Sequence, residues 1–181
     1  MLVNCNSLEI ENISHSVTLV PRLDYSINLL SQNLEILKEK RQEVKKQNQI
    51  LLEDYEHDDK THLKSLDLEQ TVLFCFETLL QIKKQVSMIS GVNTIPEVLP
   101  PIIPMIRTVS AKLYDIFPNC SQKLSELSVH LGSIVLDSAA LTKARFDFSR
   151  SNEESSIFLD EVKLIVDSKL RKQYPNLDFS K

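Results

Sequence analysis

The chain has 181 residues, 42% hydrophobic and 25% charged, with a net charge of −4, two glycines and no tryptophan. Those proportions describe one domain, or one domain with a tail. Two glycines leave almost no supply of positive-φ positions, which excludes hairpin-rich β architectures and glycine-cradled phosphate loops and makes a mostly helical chain the expectation.

Residues 1–20 show no helical period, and Pro21 suits the first turn of a helix, where its missing N–H costs nothing. An irregular N-terminal segment is therefore expected ahead of a helical core over 21–144. Leu23, Ile27, Leu30, Leu34, Leu37, Arg41, Val44, Asn48, Leu51 and Tyr55 follow alternate spacings of four and three, the signature of a long amphipathic helix about 50 Å in length. Arg41 and Asn48 interrupt this seam. Either they fix its register, or they lie in solvent where the helix outruns its partner.

The polar stretch from Asp54 to His62 separates that helix from a second series: Leu68, Val72, Cys75, Leu79, Ile82, Val86 and Ile89. Leu66, Leu73, Phe76 and Leu80 add a second stripe, so this helix can serve one partner along the seam and another beside it. Two matched seams around a polar junction predict an antiparallel helical hairpin over 22–90, with a single coiled-coil rod as the alternative.

Gly91 suits a helix C-cap, and Pro96, Pro100, Pro101 and Pro104 predict a non-helical elbow over 91–104. Short helices are expected within 105–144. Ile106, Val109, Leu113 and Ile116 mark one, ending near Pro118; Leu124, Leu127, Leu131, Ile134, Val135 and Leu141 mark another, capped by Asn119 or Ser121 and carrying Gly132 where close packing would need a small residue. The polar run 145–156 reads as a linker. Together with a last amphipathic helix bearing Ile157, Val162, Ile165, Val166 and Leu170, it makes up a C-terminal unit, 145–181.

Chemistry has few candidate residues. His57, Asp58, Asp59 and His62 resemble a metal set, but a spacing of five separates the imidazoles by about 140° on a helix, so a solvated hairpin tip is the better reading. Cys5, Cys75 and Cys120 are far apart, and no nucleophile elbow or phosphate loop occurs, so no catalytic residue, metal or cofactor is expected. The apolar stretch from Val92 to Ile106 is broken by prolines and is too short to cross a bilayer of about 30 Å. No lysine or arginine precedes Arg22, so a cytoplasmic protein is expected.

Charge is evenly spread. Between Pro21 and Gly91 there are 10 Lys plus Arg against 12 Asp plus Glu, and beyond Gly91 there are 11 of each, which disfavours nucleic acid as a partner. Lys38, Lys40, Lys45 and Lys46 form the one local basic cluster. Interleaved glutamates can pair with them along the helix; contact with anionic lipid is the alternative use.

The arrangement resembles ESCRT-III, and within it the archaeal CdvB group of cell-division proteins. Pro21 to Leu30 looks like the opening of the family's first helix. Ile103 to Ser110, Ile116-Phe117-Pro118 and Leu131 to Val135 are similar to the region after the hairpin. Phe158 to Val162 and Lys169 to Leu177 resemble the C-terminal helix, although Gln173 stands where a leucine is usual. The resemblance implies a subunit, peripheral at a membrane or division site, that polymerises into membrane-remodelling filaments. It also implies a tail, matched at Val162, Ile165, Val166, Lys169 and Leu170, that binds the MIT domain of a disassembling AAA ATPase. Balanced charge leaves recruitment either direct or through a membrane adaptor. Assembly would use Leu73, Phe76 and Leu80, hidden when the short helices fold back and presented when they open. A coiled-coil adaptor of one defined stoichiometry, without filaments or membrane activity, is the competing expectation.

Overall fold

A computed structural model describes residues 6–53, 59–145 and 147–175, and among them the fold is all-α. Five helices follow in order: α1 (Asn6–Glu53), α2 (Asp59–Ser87), α3 (Ile95–Leu113), α4 (Pro118–Thr142) and α5 (Phe148–Gln173), with a 3-10 turn at Val92–Thr94. Helices α1 and α2 form the antiparallel hairpin, which excludes the single rod: Asn48 meets Ser65 and Glu69 across it. Leu23, Leu30, Leu34, Leu37 and Val44 of α1 and Val72, Leu79, Ile82 and Val86 of α2 are buried, while Ile27 and Leu68 are half-buried.

Helices α3 and α4 form a second hairpin laid on the first. Helix α4 packs on α1 and α3, and α5 packs on α2 and α3. Ser110 and Ser121 close the second hairpin reciprocally, each hydroxyl donating to the other's backbone carbonyl at 2.8 Å. Arg22 ties α1 to α4 through Asp137 and Ser133, both at 2.5 Å.

Four expectations about helix boundaries are corrected, and with them two about the glycines. Helix α1 begins at Asn6, not after residue 20, and carries Pro21 in its interior. Leu19 and Leu23, one turn apart around that proline, are both buried and, with Val86 and Ile95, line one cavity, so packing offsets the lost backbone bond. The elbow is likewise helical from Ile95 onward. Three interior prolines cost about 3 kcal/mol each. They are outweighed by the stripe Ile95, Leu99, Ile102, Ile106, Val109 and Leu113, whose fully buried side chains contribute about 1.5–3 kcal/mol apiece.

The joint shrinks accordingly to the residues between Ser87 and Ile95. Gly91 is not a left-handed cap but extended, with φ −170°. Residue Gly132 has open space where a Cβ would stand, so close packing does not explain it. The linker 145–156 is the third correction, since α5 starts at Phe148 with Asp147 as its N-cap, accepting from the N–H groups of Ser149 and Arg150. Fourth, α4 is capped by neither Asn119 nor Ser121: Phe117 holds the N-cap and Pro118 the first turn.

Helix α4, rather than 92–106, is long and apolar enough by length and composition to cross a membrane. Its Cys120, Leu124, Leu127, Leu131, Ile134 and Val135 are buried on one face, while Val129 and Leu136 are exposed on the other.

Candidate interaction site

Glu69, Leu73 and Glu77 lie four residues apart along α2, on one face of the helix. All three are buried, Leu73 to 1% exposure. A carboxylate pair in such a position requires partners, because an unfilled buried acceptor is costly. Helix α5 supplies them. Lys169 Nζ stands 2.6 Å from Glu77 Oε1, Gln173 Nε2 donates to Glu69 Oε1 at 2.7 Å, and the Tyr174 hydroxyl donates to Glu69 Oε2 at 2.7 Å. Asn48 Nδ2 of α1 also donates to Glu69 Oε2, and the Ser65 hydroxyl donates to Asn48 Oδ1. Glu69 therefore joins α1, α2 and α5 at one buried point. Burial first, and the bond to Glu69 second, push the Tyr174 hydroxyl up to about 12.

The residues assigned to self-assembly do not form one open face. Leu73 is covered, Phe76 is half-buried beneath the Arg41 guanidinium at 5.7 Å, and Leu80 alone is exposed, at 42%. Arg41 and Asn48, the two polar members of the α1 seam, thus each have a use. Asn48 is wholly buried, so the reading that placed it in solvent is overturned.

In the tail, Val162, Val166 and Leu170 are buried, Ile165 faces outward, and Lys169 is half-exposed at its pairing with Glu77. The tail residues are thus brought to the same α2 face as Leu73. Lys38 and Lys40 pair with Glu35 at 3.5 Å and Glu43 at 2.7 Å, as the interleaved glutamates imply; Lys45 is half-buried and Lys46 exposed. His57 and Asp58 lie outside the described residues, and of Asp59 and His62 only the backbone, at the start of α2, is described.

Cys75 and Cys120 are free and buried, and burial pushes their thiols up to about 12 and about 11. The Cys120 thiol donates to Asn33 Oδ1 at 3.1 Å. Both thiols stay protonated near neutrality, the inert state of a structural cysteine. A polar cleft of about 360 Å³ lies between the starts of α3 and α5, but Glu97, Asp147 and Glu154 face Arg145 and Arg150 within it, so charges of both signs line it, and Arg150 is bound to Glu154 at 2.8 Å.

Sequence reasoning missed Glu69 and Glu77, and took Gln173 and Tyr174 only as parts of the C-terminal resemblance, not as donors to Glu69. A signal existed: two glutamates one turn either side of Leu73 interrupt an otherwise apolar stripe. No family model matches the chain, and no solved structure matches it.

Proposed function

We propose that this chain is a polymer-forming subunit of the ESCRT-III type, folded here in its closed form, that acts in membrane remodelling of the archaeal division kind. In this reading α5 is the tail that an AAA ATPase engages through its MIT domain. The observation that carries the reading is reciprocal burial: α5 covers the Leu73 stripe of α2 while α2 and α3 cover Val162, Val166 and Leu170. Release of α5 would uncover Leu73, beside the already exposed Leu80, together with the tail motif, so assembly and ATPase recognition would draw on one population shift. Only residues 143–147 connect α4 to α5, and Lys143 there adopts the left-handed conformation at φ 55°, a place usually held by glycine or asparagine.

Full-length protein and the tail-releasing variant Glu77→Lys, which sets a cation against Lys169 and leaves the tail motif and Leu73, Phe76 and Leu80 unaltered, each with and without anionic vesicles, provide the test by sedimentation and negative-stain imaging. Filaments that form more readily from the variant, and bind a peptide-accepting MIT domain more tightly, are the expected result. A variant that remains folded and monomeric at high concentration with vesicles present overturns the polymer reading.

A further inference from the structure

The last turns of α3 and α5 carry the same pattern. Val109, Lys112, Leu113, Phe117 and Pro118 recur at identical spacing as Val166, Lys169, Leu170, Tyr174 and Pro175. The backbone repeats with the side chains. Phe117 N–H donates to Leu113 O at 2.7 Å and Tyr174 N–H to Leu170 O at 2.8 Å. The two aromatic residues have φ, ψ of −137°, 73° and −130°, 70°. In both copies the valine and leucine are buried and the lysine addresses α2: Lys112 lies 5.3 Å above the Phe74 ring, and Lys169 pairs with Glu77.

The two copies part at two positions that face their partners. Ile116 and Phe117 end the first copy, and they line a cavity with Ile36 and Cys120. Gln173 and Tyr174 end the second, and the groups in which they differ, an amide and a phenolic hydroxyl, are the ones that donate to Glu69. An Ile-Phe ending at this place would leave Glu69 buried with Asn48 as its one remaining partner among these contacts. Sites built around a buried acceptor reject a ligand lacking the matching donor far more strongly than apolar pockets reject a change of size.

We propose that Glu69 is the specificity-determining residue of the α5 docking surface on α2, selecting a helix that ends Lys-Leu-x-x-Gln-Tyr-Pro over the otherwise equivalent ending of α3. The occupant is the chain's own α5. This role is independent of whether the protein polymerises. It also couples the tail to the distal half of the hairpin, since Asn48 of α1 and Tyr174 of α5 share one oxygen of Glu69.

Amide hydrogen exchange of the full chain tests it, with α3 and α4 amides as the report on global stability. Converting the second ending to the first, Gln173→Ile/Tyr174→Phe, should speed exchange of α5 amides by a factor of about ten or more while α4 stays protected. Adding Glu69→Leu to that pair should restore α5 protection, because it removes both sides of the contact between α2 and the tail, which is nearly neutral, while Asn48 keeps Ser65 as its partner within the hairpin. Glu69→Leu alone should again speed α5 exchange. Unchanged α5 exchange in the tail variant overturns the proposal. So does a triple variant that folds, by its α4 protection, yet exchanges at α5 as fast as the tail variant, for then the two residues act by shape and not through Glu69.

Discussion

Helices α4 and α5 are of nearly equal length, 25 and 26 residues, and both lie on the long hairpin, but different chemistry holds them. Helix α4 is seated chiefly by an apolar stripe from Cys120 to Val135, with neutral and part-exposed polar ties beside it, Ser121 to Ser110 and Ser133 and Asp137 to Arg22. Helix α5 is seated by three aliphatic side chains, by the buried Ser151 and Ser155, and by contacts to two buried carboxylates. Apolar burial is non-directional and grows with area, whereas a buried carboxylate stabilises one register and penalises every other. The first seat is suited to permanence. The second is suited to a helix that must return to one place after leaving it.

The comparison breaks first at the apolar seat. Leu124→Ala or Leu131→Ala, both at fully buried positions, should cost about 2–5 kcal/mol and lower the melting transition of the whole chain. Denaturant unfolding with probes on α1 and α3, the helices on which α4 packs, checks this: both probes should shift together. Separate transitions would mean that α4 is not part of the common core.

A smaller and more local loss is expected at the polar seat. Lys169→Ala removes the cation from a glutamate that is 3% exposed, at a cost of about 1–3 kcal/mol. Because the lysine itself is half-exposed, the lower part of that range applies. Limited proteolysis within 148–175 should accelerate while α1 to α4 resist, and Glu77→Gln in the same chain should recover part of the resistance. A cleavage pattern spread over all five helices would erase the distinction between the two seats.

How legible these seats are in the sequence differs for the same physical reason. Spacing of three and four residues is imposed by helix geometry, so the seams of α1 and α2 and the stripe of α4 can be read without a structure. Helicity at Pro21 and across Pro100 to Pro104 cannot be so read, because local chemistry opposes it and only the packing of Leu19, Leu99 and Ile102 overrules it. Glu69 and Glu77 are hidden differently. A glutamate on an apolar stripe marks the edge of a face unless the donors that satisfy it are known, and these come from residues about a hundred positions away. The register of α5 was therefore beyond the periodic signal, even though its apolar residues were not.

Alkaline pH separates the seats by titration. Burial raises Cys120 in α4 to about 11, Cys75 in α2 to about 12 and Tyr174 beyond α5 to about 12. Raised values mean that the folded state favours the protonated forms. Their contribution is complete below the unfolded values, about 8.5 for a thiol and 10 for a phenol, and is lost as pH climbs through the folded values. The melting temperature should hold between pH 7 and 8 and decline above that. Cys75→Ala and Cys120→Ala should each flatten the decline from about pH 8.5 upward, measured against their own neutral-pH values. A slope unchanged in both variants would show that other groups carry the alkaline loss.

The smallest stability effect belongs to the surface of α1, and its smallness is what makes it informative. Lys38 and Lys40 form exposed pairs three residues from Glu35 and Glu43, and Lys46 is exposed beside them. Such pairs stabilise a helix by about 0.2–0.5 kcal/mol each, so Lys38→Gln/Lys40→Gln/Lys46→Gln should leave folding, and both helix seats, nearly unchanged. Any loss of vesicle binding in that variant is then a loss of contact with lipid and not of structure. If this surface touches anionic membrane, three charges at about 1 kcal/mol each should weaken cosedimentation with phosphatidylserine vesicles by roughly a hundredfold at low salt. Equal binding by the variant and the parent would assign membrane recruitment to an adaptor, leaving the lysines as partners of the glutamates that flank them.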